Sequence, residues 1–310
     1  MTERRLLLLD ATGILVRCER AARRATPMHA AVDGAERPTG ALLMFIRSVA
    51  RYLREDHPTH VLAAWDGERA TAGRRELHPG YKSSRPQPPG EDSWLYQAAM
   101  EFVREAWFYP FRREGLEADD IIAWACQAVP LSADLSAVIR SDDHDLFQLL
   151  RPGRVIQRSL NSLSERTRAS DVVKRYGCQP VWLPALWALA GDKADDIPGI
   201  PGVGNSKALK LLEEADWRFD DVRHPWLESE ERGWDMIGAY REILDLAHWE
   251  PGRRERHWLS HEMWTEMVND RRWDPAAALR RVRPLLEKWG MTGTLSDLES
   301  GKLWPLDLDS

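Results

Sequence analysis

Short runs of consecutive apolar residues end in acidic side chains at several places along the chain. Residues 5–10 and 60–66 each run into an aspartate, and residues 135–145 run into several acids. Unbroken apolar runs are typical of strands that are buried on both faces of a parallel sheet. Because the carboxyl ends of parallel strands meet at one edge of the sheet, we expect Asp10 and Asp66 to be neighbours.

Other apolar positions recur at helical spacing. Residues 39–55 show this periodicity with arginines on one side, and the following His-Pro pair predicts the end of that helix. Residues 114–125 begin with three acids and continue as an apolar helix. Strands that alternate with helices predict an α/β fold. The other predicted elements are a short strand at 155–159, helices at 170–176 and 181–190, and irregular helices after 212 that pack around the first part of the chain.

The chain has 310 residues, enough for a large core and two subdomains. Its net charge of −6 is unusual for a protein that binds nucleic acid. If nine of its 49 acids form one metal site, 43 basic residues face the remaining 40 acids. Bound metal ions would reverse the local sign further. The negative charge therefore weakens non-specific binding without excluding a phosphate-binding site.

No apolar run is long enough for the core of a signal peptide or for a membrane span, so we expect a cytoplasmic protein with no membrane partner. The three cysteines, Cys18, Cys126 and Cys178, are far apart and show no metal-ligand spacing. They are predicted to be free thiols in a reducing compartment, with no zinc site. We expect His144, which lies between two acids, to be a solvent-facing loop histidine.

Residues 191–212 form the most informative stretch. Three aspartates within 192–196 precede a glycine-rich turn at 199–204, and an apolar helix follows. Such a turn binds phosphate through backbone N–H groups and does not read bases. Acids beside a phosphate site repel the phosphate unless a cation lies between them, so the stretch indicates a divalent metal ion. The alternative is an acidic loop that only caps the helix.

The sequence at 191–204 resembles the Gly-Asp-x-x-Asp-Asn-Ile-Pro-Gly-x-x-Gly-x-Gly signature of the 5′-nuclease or flap endonuclease family. Residues 79–85 resemble its Pro-x-Tyr-Lys-x-x-Arg segment, and residues 117–122 match its metal motif Glu-Ala-Asp-Asp-x-Ile. Residues 141–149 resemble its Ser/Thr-Gly-Asp-Lys-Asp-x-x-Gln-Leu motif. The resemblance covers roughly residues 5–215, with the motifs in the family's order and spacing.

The resemblance implies a PIN-like (5′-nuclease) α/β fold, in which a parallel sheet is flanked by helices, with a helix-hairpin-helix (helix-3-turn-helix) DNA-binding subdomain. We expect a metal-dependent nuclease core at 1–160, with a basic arch or clamp segment at about 69–93. A helical domain at 161–310 would then contain the helix-hairpin-helix at about 186–213.

The resemblance also implies nine carboxylate ligands. Like charges at such close range would force protonation unless two or more hard divalent cations, Mg²⁺ or Mn²⁺, lie among them. Asp142 stands where the family usually has glycine and is a further candidate ligand, and His144 stands where lysine is common. Asp196 replaces a common asparagine and is expected to be a hydrogen-bonding turn residue. The nine implied ligands are Asp10, Asp66, Glu117, Asp119, Asp120, Asp143, Asp145, Asp192 and Asp195.

Composition alone leaves residues 69–93 open to two interpretations, a solvated linker or a mobile basic segment that binds substrate. The resemblance favours the second and implies that Lys82 and Arg85 act catalytically at the scissile phosphate. It also implies that the hairpin holds the backbone of duplex DNA, with a monovalent ion such as K⁺ on its carbonyl groups. The further residues predicted to contact DNA are Arg17, Arg75, Tyr81, Gly202, Gly204, Ser206 and Lys207.

The resemblance therefore implies a structure-specific 5′-nuclease, both a 5′-3′ exonuclease and a flap endonuclease, that hydrolyses DNA by a two-metal-ion mechanism. Its role would be primer and flap removal in replication or repair. The expected partners are DNA with a 5′ flap, nick, gap or 5′ end and an RNA primer in a duplex, bound by a monomer. Two alternatives stay open: a non-catalytic, structure-specific DNA-binding protein and a metal-dependent PIN-like ribonuclease.

Overall fold

A six-stranded sheet organises the chain in the order β5-β4-β1-β6-β7-β8, with every pairing parallel except that of β8 with β7. β2 and β3 form a separate antiparallel hairpin. The computed structural model describes residues 4–85, 90, 92–161, 165–229, 231, 233–248 and 261–303. The strands are β1 Arg4–Asp10, β2 His29–Val32, β3 Ala35–Pro38, β4 His60–Trp65, β5 Tyr109–Arg112, β6 Leu135–Arg140, β7 Val155–Arg158 and β8 Arg166–Thr167.

Helices connect and cover these strands. The α-helices are α1 Ala11–Ala22, α2 Gly40–Asp56, α3 Ala72–Leu77, α4 Trp94–Glu105, α5 Ala118–Ala128, α6 Ala169–Tyr176, α7 Leu183–Ala190, α8 Asn205–Glu214, α9 Pro225–Ser229, α10 Gly233–Leu244, α11 His261–Thr265, α12 Pro275–Lys288 and α13 Thr292–Glu299. Short 3₁₀ turns lie at Val129–Leu131, Asp145–Leu149, Pro180–Trp182 and Phe219–Asp221, and a π-helical turn lies at Glu266–Asp270.

The central strand β1 supplies side chains to two separate cores. Leu6 and Leu8 pack on one face of the sheet with buried residues of α5, α7, α8 and α10. Leu7 and Leu9 pack on the other face with buried residues of α1, α2, α4, α12 and α13. Successive side chains of a strand point to opposite faces, so the continuous apolar run at the start of the chain reflects burial on both sides.

The structure confirms the predicted strands and helices with small changes in their bounds. The predicted helix at 39–55 is α2, which ends at His57 in the left-handed conformation. Several elements of the described residues were not predicted. These include α1, the β2–β3 hairpin, α3, α4, β5 and β8.

The predicted boundary between 160 and 161 stays a prediction, but packing crosses it on both sides of the sheet. Buried residues of α7 and α10 belong to the same core as β6 and α5, and those of α12 and α13 belong to the same core as α2 and α4. The last part of the chain therefore packs around the first, as expected from its apolar content.

The expectation of a mobile basic segment at 69–93 is wrong for its first half. Residues 72–77 form α3, and the side chain of Arg74 is completely buried. Part of the segment thus belongs to the protein interior. Residues 86–89 and 91, which carry several of its prolines, lie outside the described residues.

The three cysteines are free thiols, as predicted, and all three are buried. Across the described part of the chain, no helix is both long enough and apolar enough to cross a membrane.

Candidate metal centre and nucleic-acid interface

Two aspartates mark the carboxyl ends of the neighbouring parallel strands β1 and β4. Asp10 ends β1, caps α1 by accepting a hydrogen bond from the Gly13 N–H at 2.8 Å, and accepts another from the Ser141 hydroxyl at 2.9 Å. Asp66 follows β4 and accepts a hydrogen bond from the Ala118 N–H at 2.8 Å. This placement agrees with the expected strand ends.

Burial shifts the protonation of these carboxylates. Desolvation, followed by the charges of Glu117 and Asp10, raises the pKa of Asp66 to about 7. Desolvation likewise raises the pKa of Asp10, with the charge of Asp143 adding to the shift. In Asp119, the second residue of α5, desolvation followed by the charges of Asp143 and Asp10 raises the pKa well above its usual range. Carboxylates from separate segments therefore repel one another around a common space.

At the start of α5, two predicted ligands contact buried basic side chains. Glu117 and Asp120 form a reciprocal capping box, and Arg74 bonds to both, at 2.9 Å from Glu117 Oε2 and 2.6 Å from Asp120 Oδ1. Arg74 also bonds Asp120 Oδ2 at 3.0 Å, and that oxygen accepts the Glu117 N–H at 2.8 Å. Both oxygens of Asp120 are thus occupied by the Arg74 guanidinium and the helix cap.

Lys82 forms a buried ion pair with Glu117, with 2.6 Å between Nζ and Oε1. The Tyr81 hydroxyl donates to the other Glu117 oxygen at 2.9 Å. Desolvation would raise the pKa of Glu117, but the Lys82 and Arg74 charges lower it to about 2. For Lys82, desolvation lowers the pKa, and the Glu117 charge more than offsets this, so the pKa lies well above its usual range. A charged lysine therefore lies directly beside a predicted metal ligand.

The loop after β6 brings three metal-ligating side chains together. Ligand atoms of Asp143, His144 and Asp145 all lie within 4.8 Å of one another. Asp145 is buried, and its Oδ1 atom accepts no hydrogen bond. Desolvation, then the charges of Asp143 and Asp195, raise its pKa well above the usual range. A buried carboxylate oxygen that accepts no hydrogen bond and lies near other carboxylates is suited to binding a cation.

His144 does not face solvent as a free loop residue, so that expectation is wrong. Its Nε2 atom lies 2.9 Å from Asp192 Oδ2 and 3.4 Å from Asp145 Oδ1, and its ring packs edge-on against Trp187. Desolvation lowers the pKa of His144, but the hydrogen bond to Asp192 and the charge of Asp145 raise it to about 9. Nonlocal contacts with the 192–196 loop, which the local sequence does not reveal, explain the difference.

The 192–196 loop carries the last predicted ligands. Asp192 accepts the Ala194 N–H at 2.7 Å, and Asp195 pairs with Arg85 at 2.6 Å. Desolvation raises the pKa of Asp195, an effect that Lys82 and Arg85 partly reverse. Asp196 is the hydrogen-bonding turn residue that was expected: its φ is +57° and its carboxylate accepts two hydrogen bonds from Ser84.

Two cavities are lined by six of the nine predicted ligands. A cavity of about 720 Å³, here called the carboxylate cavity, is lined by five of the nine, while Asp192 and His144 line a second cavity of about 580 Å³. Asp120 instead faces Arg74. The carboxylate cavity also carries a basic wall formed by Arg17, Arg20, Arg24, Arg75, Lys82 and Arg85. Its five predicted ligands are Asp10, Asp66, Glu117, Asp119 and Asp143.

The residues present fit a hard divalent cation. Every predicted ligand offers carboxylate oxygen, and the pKa of Asp10, Asp66, Asp119 and Asp145 is raised by burial and like charge. The Asp145 Oδ1 atom, which accepts no hydrogen bond from a described residue, is available to coordinate a metal ion. A cation among these groups would remove their repulsion and supply the missing partner.

The glycine-rich hairpin presents a helix N-terminus at the surface. Gly199 has φ of +65°, and a Cβ atom there would lie 2.2 Å from the Gly191 backbone nitrogen, so only glycine fits. Gly202 has φ of +74° and is exposed, as are Gly204, Ser206 and Lys207. N–H groups in a first helical turn have no intrahelical acceptor, so α8 offers donors to an anion.

The other predicted DNA contacts differ in their exposure. Arg17 is half-exposed and pairs with Asp142 at 2.6 Å, an arrangement that also gives Asp142 a structural partner in place of a metal. Arg75 lines the carboxylate cavity and donates to the Tyr81 carbonyl. Tyr81 is only 2% exposed, so the structure places its ring in the core and not on a DNA-binding surface.

Sequence reasoning missed Arg74, Arg20 and Arg24. The burial of Arg74 depends on Glu117 and Asp120, which lie 43 and 46 residues further along the chain. Arg20 lies on α1 three residues after Arg17, Arg24 lies in the turn just after α1, and both line the same cavity as Arg17. Recognising α1 as a helix would have placed Arg17 and Arg20 on one face.

Comparisons with known proteins agree with this arrangement. The family model described as 5′-3′ exonuclease, N-terminal resolvase-like domain, matches residues 5–177. DNA polymerase I of Mycobacterium leprae is 29% identical and covers 97% of this chain, which spans 34% of that protein. DNA polymerase I of Rhizobium leguminosarum is 34% identical over 67% of this chain and 20% of its own length. The 5′-3′ exonuclease of Aquifex aeolicus is 29% identical, over 68% of this chain and 70% of its own length.

The chain therefore spans about a third or less of the length of these two polymerase relatives. Among solved structures, the T5 D15 protein co-crystallised with metal ions has a TM-score of 0.60 at 17% identity, over 95% of this chain and 99% of its own. The catalytic core of Rad2 in complex with DNA has a TM-score of 0.56 at 14% identity, over 97% and 92%. These likenesses confirm the predicted PIN-like fold.

Proposed function

Since this chain belongs to the family of 5′-3′ exonuclease N-terminal resolvase-like domains, we propose that it is a structure-specific nuclease that hydrolyses phosphodiester bonds of DNA near a free 5′ end. One observation carries the proposal: carboxylates from β1, β4, α5 and the loop after β6 line one cavity together with Lys82. The carboxylates supply the oxygen ligands that divalent cations prefer, and the bound cations together with Lys82 would attract the negatively charged phosphodiester.

The carboxylates predicted from the sequence would hold two or more Mg²⁺ or Mn²⁺ ions, with the exception of Asp120, whose oxygens are taken by Arg74 and the Glu117 N–H. Divalent cations, when bound, lower the pKa of an attacking water and neutralise charge on the phosphate. The chain's own contribution is to fix these oxygens in a buried setting. Asp10 and Asp66 are oriented by hydrogen bonds from the Gly13 and Ala118 N–H groups. The positions of their metal-binding oxygens are therefore fixed before substrate binds.

Lys82 and Arg85 would act directly on the substrate. Both line the carboxylate cavity and each is held by a predicted ligand, Lys82 by Glu117 and Arg85 by Asp195. Cations bound among the carboxylates would compensate the charges of Glu117 and Asp195 in their place, and the two side chains would then be available to the scissile phosphate. There they would stabilise the charge that develops on the phosphate oxygens in the transition state.

The hairpin would hold duplex DNA beside the cut. Gly202, Gly204, Ser206 and Lys207 are exposed at the start of α8 and would contact the phosphate backbone, with K⁺ on the hairpin carbonyls. Phosphate contacts give selectivity for DNA structure without selectivity for sequence. The substrates would be 5′ flaps, nicks, gaps and primers paired to a template, consistent with replication or repair in the cytoplasm.

The test is cleavage of a duplex with a labelled 5′ flap in Mg²⁺. The Asp143→Asn/Asp145→Asn double variant should bind the flap and not cut it, because two metal ligands are lost. Asp297→Asn is the matched control, since Asp297 pairs with Arg47 outside both cavities, and it should cut normally. Equal cutting by the double variant would overturn the proposal.

Two further outcomes identify the alternatives. Cleavage of single-stranded RNA in Mg²⁺ without cleavage of the flap would indicate a ribonuclease. Tight flap binding by the unchanged protein with no cutting in Mg²⁺ or Mn²⁺ would indicate a non-catalytic DNA-binding protein.

A further inference from the structure

We propose that the Nε2 atom of His144 is a metal ligand, and that it gives one cation position of this site a preference for a first-row transition-metal ion over Mg²⁺. The inference rests on the proposed function, because it concerns the same carboxylates. It adds a nitrogen donor to a ligand set that otherwise contains only oxygen.

The imidazole lies between carboxylates from two separate loops. Its Nε2 atom is 2.9 Å from Asp192 Oδ2 and 3.4 Å from Asp145 Oδ1, and its Nδ1 atom is 3.9 Å from Asp143 Oδ1. The ligand atoms of 143–145 all lie within 4.8 Å of one another. Nε2 therefore lies among the oxygens that a cation would have to bridge.

Asp145 supplies an independent indication of a ligand. Asp145 is 5% exposed, and its Oδ1 atom, which lies 3.4 Å from His144 Nε2, accepts no hydrogen bond from any residue that the structure describes. A buried carboxylate oxygen without a donor is costly unless a further partner binds it. A cation shared with Nε2 would be that partner.

The surroundings fix the ring and leave a path to it. The imidazole packs edge-on against Trp187, with ring centroids 5.1 Å apart and an interplanar angle of 83°. His144 and Asp192 line the cavity of about 580 Å³, so an ion can reach Nε2 from that side. A ring held in place binds a metal ion at a smaller entropic cost.

Nitrogen changes which ions bind well. Mg²⁺ prefers oxygen ligands and keeps several waters, whereas imidazole suits the later first-row ions. Co²⁺ should therefore bind this site more tightly than Mg²⁺ does, and the difference should depend on His144.

The experiment measures coordination and affinity without catalysis. Pulsed electron paramagnetic resonance of Mn²⁺ bound to the full chain should show coupling to a ligand ¹⁴N nucleus, and the coupling should disappear in His144→Gln. In calorimetric titrations, His144→Gln should bind Co²⁺ at least about tenfold more weakly and Mg²⁺ no more weakly. His248→Gln is the matched control, because His248 contacts Asp245 at 2.9 Å on the surface, and it should behave as the unchanged protein.

Absence of nitrogen coupling in the unchanged protein would overturn the inference, and that result does not depend on how any variant folds. Coupling that persists in His144→Gln, or an equal loss of Co²⁺ and Mg²⁺ affinity, would also overturn it. Failure of the proposed function has a different readout, namely no flap cutting by the unchanged protein in any divalent metal, and the nitrogen coupling can be measured in either case.

Discussion

Ser84 donates two hydrogen bonds to the carboxylate of Asp196, one from its backbone N–H at 2.9 Å and one from its hydroxyl at 2.8 Å. Around this pair, the Lys82 N–H donates to the Asp195 carbonyl at 3.1 Å and Arg85 donates to the Ala194 carbonyl at 2.9 Å. The segment that carries the two catalytic candidates is therefore attached to the loop that precedes the hairpin. The proposed binding of duplex at the hairpin would therefore be mechanically linked to the position of Lys82.

Replacing Asp196 should loosen this attachment. Asp196→Ala removes the acceptor and places alanine at a φ of +57°, which alanine disfavours. We expect faster limited proteolysis at 83–85 and a single-turnover cleavage rate reduced by up to about a hundredfold, since small displacements of catalytic groups are costly. Asp196→Asn, which keeps an oxygen acceptor and tolerates that φ, should stay close to the unchanged protein.

Ser84→Ala separates the two causes, because it removes the hydroxyl donor and leaves the backbone at 196 unaltered. It should show a smaller effect in the same direction as Asp196→Ala. Proteolysis of Asp196→Ala at the unchanged rate would contradict the proposed attachment.

Arg74→Met should destabilise the fold strongly. The guanidinium is completely buried and bonds to Glu117, Asp120 and the Ile243 carbonyl. Its removal leaves the buried Asp120 carboxylate without its charged partner, whereas Glu117 keeps Lys82 and Tyr81. We expect a cost of about 3–5 kcal/mol in the free energy of unfolding. Chemical denaturation at neutral pH measures this difference.

Arg23→Met is the matched control for that measurement, because Arg23 pairs with Glu19 on an exposed turn of α1. Its unfolding midpoint should hardly change. Similar midpoints for the two variants would show that the buried network contributes little to stability.

Lys82→Ala should impair chemistry more than folding. Glu117 keeps Arg74 and Tyr81 as partners, so its charge stays compensated. We expect the single-turnover rate on a saturating 5′ flap to fall by about a hundredfold or more, as for the loss of one charge-stabilising group in a transition state. Lys288→Ala, which removes a lysine paired with Asp33 on the surface, should cut at the normal rate, and an equal loss there would remove the argument for Lys82.

Lys207→Ala should weaken DNA binding without slowing chemistry. Lys207 is exposed at the start of α8, where a lysine would contact one phosphate. Loss of one such contact should reduce the slope of log binding constant against log salt concentration by about 0.9. The slope is measured by fluorescence anisotropy on duplex DNA, and an unchanged value would indicate that the duplex does not contact Lys207.

Stability should depend on pH through His60. Desolvation, followed by the Arg4 charge, lowers the folded-state pKa of His60 from 6.5 to about 4. Between these values the unfolded chain binds a proton that the folded chain excludes, so the free energy of unfolding should fall as pH falls from 6.5 towards 4. His60→Gln lacks this proton and should show a shallower fall in the same window.

Parts of the fold and site that depend on local pattern could be predicted. Asp10 and Asp66 follow apolar runs, and a parallel sheet brings such ends together whatever the rest of the chain does. The α5 acids follow from helical spacing in the same way. α1 carried an equivalent signal, with buried Ala11, Ile14, Leu15 and Cys18 on one face, but the interleaved charged residues obscured it.

Features that depend on distant partners could not be predicted. A basic residue in a segment rich in proline and arginine is expected to be exposed to solvent. Only the tertiary fold brings Arg74 into contact with the carboxylates at the start of α5. The position of His144 likewise depends on its hydrogen bond with Asp192, which is 48 residues away. Charge pairing between remote segments leaves no periodic trace in the sequence.

The stretch that matches the family model ends at residue 177, yet two buried side chains inside it also bond to partners beyond that point. Gln148 donates to the Leu244 carbonyl and accepts the Leu246 N–H, and Arg74 donates to the Ile243 carbonyl. A recombinant fragment cut at 177 would expose one face of the sheet and remove these partners. For expression and crystallisation, the smallest workable unit therefore extends past α10.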